Sequence, residues 1–193
     1  ISKNTWNTSM EGKNLSDLCI EKGLEPTPYN AALIVFEIVK GGGASAVYHA
    51  INSNDVDIIM QHPMTSIASD GPLTVFKEGA PHPRTYGTFA RVLGRYVRER
   101  NILTLEEAIR KMTSLPASIL SIKKRGLIKE GYFADITIFN SNHIIDKATF
   151  EDPHQYAIGV DFVLVNGTIV VEDGNHNGKR PGRILYGPGY REN

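Results

Sequence analysis

The sequence predicts an α/β fold that gives way to a β-rich unit near its end. Two observations carry this. From residue 28 to residue 68 the apolar pattern runs helix, strand, helix, strand, the rhythm of a parallel sheet joined by helical crossovers. After Lys124 the elements shorten, and Val160–Val165, Asn166-Gly167 and Thr168–Val171 read as a hairpin. Asn-Gly suits the type I′ turn, which needs positive φ at both central residues. The expected division is therefore 1–124 and 125–193.

Each element has a local reason. Leu15–Lys22 is a short helix with Leu15, Leu18 and Cys19 on one face and Gly23 ending it. Thr27 caps the next helix, with Pro28 at the first position, where a missing N–H costs nothing. Its apolar face is expected at Leu33, Phe36 and either Ala32 or Val39, and Lys40-Gly41-Gly42-Gly43 ends it. The three glycines read as a helix C-cap and linker. They follow a helix, and no Gly-Lys-Ser/Thr comes after them, so they are not a phosphate loop. Ala44–Ile51 is an expected strand, Asn54 or Asp55 caps a helix through Met60, and Ile67 and Ala68 belong to the next strand. A long loop with Pro72, Pro81 and Pro83 then runs from Gly71 to about Arg84. Loops of that length inside a domain are functional or disordered.

Phe89, Val92, Leu93, Tyr96 and Val97 form a helical stripe. Thr104-Leu105-Glu106-Glu107 is a capping box, opening a helix whose buried stripe is Leu105, Ala108, Ile109 and Met112. Ser114 caps the following turn, with Pro116 tolerated near its start. Arg125-Gly126 and Glu130-Gly131 are turns, Ala134–Phe139 is a strand, and Gly174–Asn193 reads as a loosely structured arm.

Composition bounds the function. The 193 residues suffice for one domain with a core, or one domain and part of another. Apolar content of 41% and charged content of 22% suit a globular protein. Twenty-one basic residues balance 21 acidic ones, so nucleic acid is not the expected partner, because phosphate binding wants a basic face. The best apolar run, Ala31–Val39, contains Glu37 and is too short to span a bilayer. No membrane partner is expected. Cys19 is the only cysteine, which excludes a disulfide framework and suits a cytoplasmic thiol. Asn7, Asn14 and Asn166 begin Asn-X-Ser/Thr triplets, read as chance in the absence of a signal peptide. The chain starts at Ile1 and reads as a piece of something longer.

Two residues stand out chemically. Asp70 follows a short apolar run and sits in an Asp-Gly-Pro corner. That makes a good turn, and it is also how a carboxylate reaches the mouth of an α/β barrel, where active sites lie at strand C-termini. Arg84 lies in the His82-Pro83-Arg84 loop, where a guanidinium can hold a carboxylate bidentately. No metal ligand set is expected. His49, His62 and His82 are scattered, with no His-X-His and no His-Glu-X-X-His, and no Gly-X-Ser-X-Gly nucleophile elbow occurs.

Ile67-Ala68-Ser69-Asp70-Gly71, the run from His82 to Gly94 and the run from Leu105 to Ala117 together resemble the C-terminal half of the N-acyl-D-amino-acid deacylases (D-aminoacylases) of the amidohydrolase superfamily. The resemblance continues through Ala134-Asp135-Ile136, the run from Ala148 to Pro153, Val165-Asn166-Gly167 and Pro181-Gly182-Arg183. It implies the last part of a (β/α)8 metal-dependent hydrolase barrel plus the C-terminal share of a small β domain. It further implies a zinc cofactor whose ligands lie in an N-terminal half that this chain lacks; Cys19 does not match the family cysteine. By the residue match Asp70 shuttles the proton and Arg84 faces the substrate α-carboxylate; Thr85 and Tyr86 either help position that loop or, on the simpler account, pack in the core or loop. The substrate implied is a small N-acyl amino acid, cleaved to a carboxylate and a D-amino acid in the cytoplasm. Two alternatives stay open: a cyclic-amide hydrolase of the hydantoinase or dihydroorotase kind, and a non-catalytic fragment or subunit that pairs with the missing half or self-associates.

Overall fold

Two units, each gathered from separated stretches of chain, make up the computed structural model, which describes residues 1–191. The first comprises Ile1–Ala50, Asp70–Tyr86 and Lys147–Tyr156. The second comprises Ile51–Ser69, Gly87–Asp146 and the chain from Ala157 onward.

In the first unit, α1 (Leu15–Glu21) opens with a reciprocal cap: Asn14 accepts from the Asp17 N–H, and Asp17 accepts from the Asn14 N–H. α2 (Pro28–Lys40) starts where Thr27 Oγ1 accepts from the Asn30 N–H, and it stops at Gly41. Met10, Leu18, Cys19, Ile34 and Ile38 form the core between the two helices. This corrects the expected apolar face of α2, because Leu33, Phe36 and Val39 are exposed, Phe36 by 70%. Apolar residues occur on every side of this helix, so helical spacing fits Ala31, Ile34 and Ile38 equally well, and the partner α1 decides. The expected strand at Ala44–Ile51 is also absent. Only a bridge between Lys3 and Ser45 forms, with the Ser45 N–H donating to the Lys3 carbonyl at 2.9 Å. A parallel strand exists only beside another strand that completes its ladder, and among the described residues none lies there.

The second unit begins with α3 (Ser53–Gln61), capped by Asn52 rather than by Asn54 or Asp55. Ile67 and Ala68 do not form the expected strand; the Ile67 N–H donates instead to the Lys111 carbonyl at 2.9 Å. α4 (Arg84–Arg91) runs on into a π-helical stretch, Val92–Glu99. Of the expected stripe, Val92 and Leu93 are buried, Tyr96 is half-buried and Val97 packs against the core, while Phe89 is 47% exposed. One side of this helix receives the segment 144–146. A Cβ on Gly87 would lie 2.7 Å from the Asp146 Cβ, and one on Gly94 would lie 2.5 Å from the Ile144 carbonyl oxygen. Arg91 donates to the Asp146 carboxylate at 2.9 Å, and Arg98 donates to the Ile144 carbonyl at 2.7 Å.

α5 (Leu105–Met112) has half of its expected capping box. Thr104 Oγ1 accepts from the Glu107 N–H, but the Glu107 carboxylate is committed to Arg110 at 2.8 Å. Its stripe packs into a core of Ala90, Val92, Leu93, Leu103, Ala108 and Ile144. The stripe omitted Lys111, which is fully buried. Lys111 Nζ donates to the carbonyls of His62 and Thr65, the latter at 3.0 Å. α6 (Ser114–Ile119) follows Thr113 as its boundary residue.

β1 (Ile136–Phe139), β2 (Val160–Val165), β3 (Thr168–Glu172) and β4 (Asn175–His176) form an antiparallel sheet in that order. The expected hairpin is present, with Asn166 at φ 48° and Gly167 at φ 79°. β1 starts two residues later than expected, because the Asp135 carboxylate accepts from the Asn166 N–H and from Arg125. The expected arm has β4 at its start and no regular structure from there to residue 191; residues 192 and 193 lie outside the described residues. The fold is thus α/β with a small antiparallel sheet. Among the described residues no helix is long and apolar enough to cross a membrane.

Candidate functional site

The chain between Asp70 and Arg84 leaves and returns to nearly one point. Arg84 Nε meets Asp70 Oδ1 at 2.8 Å, so the two residues singled out in the sequence are brought together. Gly71 makes that neck possible. A Cβ there would fall 2.7 Å from the Thr85 Cα, inside any ordinary contact. Loop 71–83 with its ends in contact is an Ω-loop, a form whose own side chains fill its interior.

The side chains that do so belong to the first unit. Phe76 stacks on Tyr156 at 5.2 Å and meets Tyr86 and His154 edge-on. Tyr86 Oη lies 2.8 Å from His154 Nδ1 and 3.4 Å from Thr74 Oγ1. The Thr85 hydroxyl is buried with no hydrogen-bond partner among the described residues. At the return of the loop, His82 Nδ1 accepts from the Arg84 N–H at 3.0 Å, and the His82 carbonyl accepts from the Thr85 N–H. These bonds start α4. Phe150 lies between two imidazoles, 5.1 Å from His82 and 4.4 Å from His49. A cleft of about 290 Å³ is lined by His49, Ala80, Pro81 and Phe150, among others.

Asp70 is 78% exposed at its side chain and Arg84 44%. An exposed pair of this kind contributes only about 0–1 kcal/mol, so stability does not explain it. A carboxylate this accessible can exchange a proton with solvent, and the guanidinium beside it can bind an anion.

Burial first, and then the Arg84 guanidinium, hold the His82 imidazole below its usual range; Asp70 acts in the opposite direction and His49 reinforces the lowering. The folded state thus binds the His82 proton more weakly than the unfolded chain, whose imidazole titrates near about 6.5. The resulting stability is present above that value and is lost as pH falls through the folded midpoint. Proton NMR titration should find the His82 midpoint below about 6.5, lower still in Asp70→Asn and higher in Arg84→Ala. A midpoint that ignores both substitutions removes His82 from this electrostatic cluster.

Among the described residues no group of three or more His, Cys, Asp or Glu side chains is placed to hold a metal ion. Cys19 is buried in α1. Phe76, His154 and Tyr156 were not singled out in the sequence, and Phe150 entered only as part of the Ala148–Pro153 run. The only available signal was a lone histidine after Asp152-Pro153 and aromatics without helical or strand spacing.

Residues 37–171 match the amidohydrolase family. An N-acyl-D-glutamate deacylase of Alcaligenes xylosoxydans xylosoxydans is 43% identical over 74% of this chain and 28% of its own length. An N-acyl-D-aspartate deacylase of the same organism is 38% identical over 90% of this chain and 33% of its own. The crystal structure of the N-acyl-D-glutamate deacylase of Bordetella bronchiseptica, complexed with zinc and a phosphonate inhibitor that mimics the tetrahedral intermediate, superposes with a TM-score of 0.81. It shares 34% identity across 96% of this chain and 36% of its own. The chain therefore spans about a third of the length of these relatives.

Proposed function

This chain belongs to the amidohydrolase family, and on that footing we propose that it is the C-terminal portion of a zinc-dependent N-acyl-D-amino-acid deacylase. The observation that carries the reading is the Asp70–Arg84 pair, closed to 2.8 Å across the neck of the loop. Asp70 takes the proton from the attacking water and returns it to the departing amine, so that the amide yields a carboxylate and a free D-amino acid. Arg84 receives the substrate α-carboxylate. Zinc belongs to the proposal for the whole protein; the described residues of this chain do not compose its site. The same proposal makes the α/β portion the last part of a (β/α)8 barrel, with 1–124 as the barrel share and 125–193 as the β-rich share, in a cytoplasmic enzyme. The remainder of that enzyme, or a second copy, covers exposed apolar side chains such as Phe36 and Ile58.

The decisive assay gives the full-length protein a panel of N-acetyl-D-amino acids, their L-enantiomers, a hydantoin and dihydroorotate. Release of free D-amino acid is the expected result. Hydrolysis of the cyclic amides alone moves the protein to the hydantoinase or dihydroorotase side of the family, and no hydrolysis of any of them removes the enzymatic reading. Arg84→Ala should raise KM about 10- to 100-fold for substrates with a free α-carboxylate, with kcat changed far less. An equal loss on substrates whose carboxylate is amidated sinks the anchoring role.

A further inference from the structure

We infer that His154 is a positioning residue, acting through Arg84. As a neutral imidazole protonated at Nε2, it binds loop 71–83 to the first turn of α4 and so sets the guanidinium in place. Three bonds carry this. The Lys77 backbone N–H donates to His154 Nδ1 at 3.1 Å, so Nδ1 bears the lone pair. His154 Nε2 lies 3.0 Å from the Gly79 carbonyl oxygen, which can only accept, so the proton sits on Nε2. Tyr86 Oη, 2.8 Å from Nδ1, is then the donor in that contact. One ring therefore ties two points of the loop to a residue two positions beyond Arg84.

Elsewhere along the loop, Thr74 Oγ1 lies 3.4 Å from Tyr86 Oη. The Glu78 N–H donates to the Val75 carbonyl, and the Ala80 N–H donates to the Ser2 carbonyl. Leu73 and Val75 are exposed. Lys77 adopts φ 68° and Gly79 φ 65°. For lysine the left-handed region is unfavourable and needs surrounding structure to maintain it. The His154 bonds to Lys77 and Gly79 supply that support on either side of Glu78. Phe76 packs against the His154 ring and stacks on Tyr156, so the same imidazole is the polar centre of the loop's aromatic filling. The Asp70–Arg84 pair is too exposed to hold the neck by itself.

The effect on catalysis rests on the deacylase reading; the hold on the loop does not, and the test separates them. In the full-length protein, limited trypsin digestion with mass spectrometry follows the cut after Lys77. His154→Ala should speed that cut at least about fivefold, since the released loop populates open forms. An unchanged rate overturns the inference whatever the enzyme hydrolyses. In kinetics with an N-acetyl-D-amino acid, His154→Ala should raise KM about tenfold, with kcat within about threefold. Added to Arg84→Ala, it should raise KM no further, because the residue it positions is already gone. A tenfold rise that persists in the Arg84→Ala background overturns the positioning role. Tyr86→Phe, which removes one hydroxyl and no packing, guards against misfolding: it should raise KM about threefold, and again only when Arg84 is present. If the wild-type protein leaves N-acetyl-D-amino acids untouched, the deacylase reading fails, and the trypsin arm still decides whether His154 holds the loop.

Discussion

Asp70→Asn should lower kcat of the full-length protein on N-acyl-D-amino acids by about two to four orders of magnitude, the range for a general acid–base group. The substitution is nearly isosteric. An Asn carbonyl oxygen can still accept from Arg84 Nε, so the neck of the loop stays closed, and loss of the charge in so exposed a pair costs at most about 1 kcal/mol. What disappears is the capacity to take a proton from water and deliver it to the leaving amine. Thermal midpoint and metal content should therefore stay close to those of the parent protein while turnover collapses. Near-normal kcat removes Asp70 from the mechanism, and a large loss of stability reassigns it to a structural corner.

Lys111→Ala should destabilise the fold by about 3–5 kcal/mol. The side chain is fully buried. Its ammonium donates to the carbonyls of His62 and Thr65, with a Glu107 oxygen 3.6 Å away. Alanine leaves a cavity and two carbonyls without their donor. Lys111→Met keeps the stem and should cost less, about 1–3 kcal/mol, the penalty of unsatisfied polar groups alone. Thermal unfolding of the two variants separates packing from hydrogen bonding. If both unfold within about 1 kcal/mol of the parent, the clamp is dispensable. Its neighbour Arg110, which donates to the Pro63 carbonyl at 2.6 Å, would then be sufficient to hold that turn.

What could be read from the sequence follows the range of the interaction. The Asn166-Gly167 hairpin, the Thr27-Pro28 helix start and the Thr104 cap are set by neighbours in the chain, and they appear as expected. Asp70 and Arg84 stand out in the sequence as candidates because a carboxylate corner and a His-Pro-Arg loop carry chemistry in their composition. Their closure to 2.8 Å depends on Gly71 fitting against Thr85, which no spacing rule reveals. The buried face of α2 was missed because apolar residues surround that helix and α1 chooses among them. The strands expected at 44–51 and 67–68 do not form, because β-propensity describes a surface that needs a neighbour. The π-helical winding at Val92–Glu99 and the buried Lys111 both answer to tertiary contacts. His154 is a single residue in a loop, and its partners lie at Lys77, Gly79 and Tyr86, far along the chain.

The first unit recruits its last stretch, Lys147–Tyr156, long after its helices have been synthesised. A nascent chain emerging from the ribosome can form α1 and α2 early, as local helices do. It must wait about a hundred residues more before Phe150 arrives between the His49 and His82 rings and His154 reaches the loop. A premature stop between Tyr86 and Lys147 therefore yields a polypeptide whose helices can assemble while its Asp70–Arg84 loop stays unfilled, a substrate for cellular proteases rather than a smaller version of the protein.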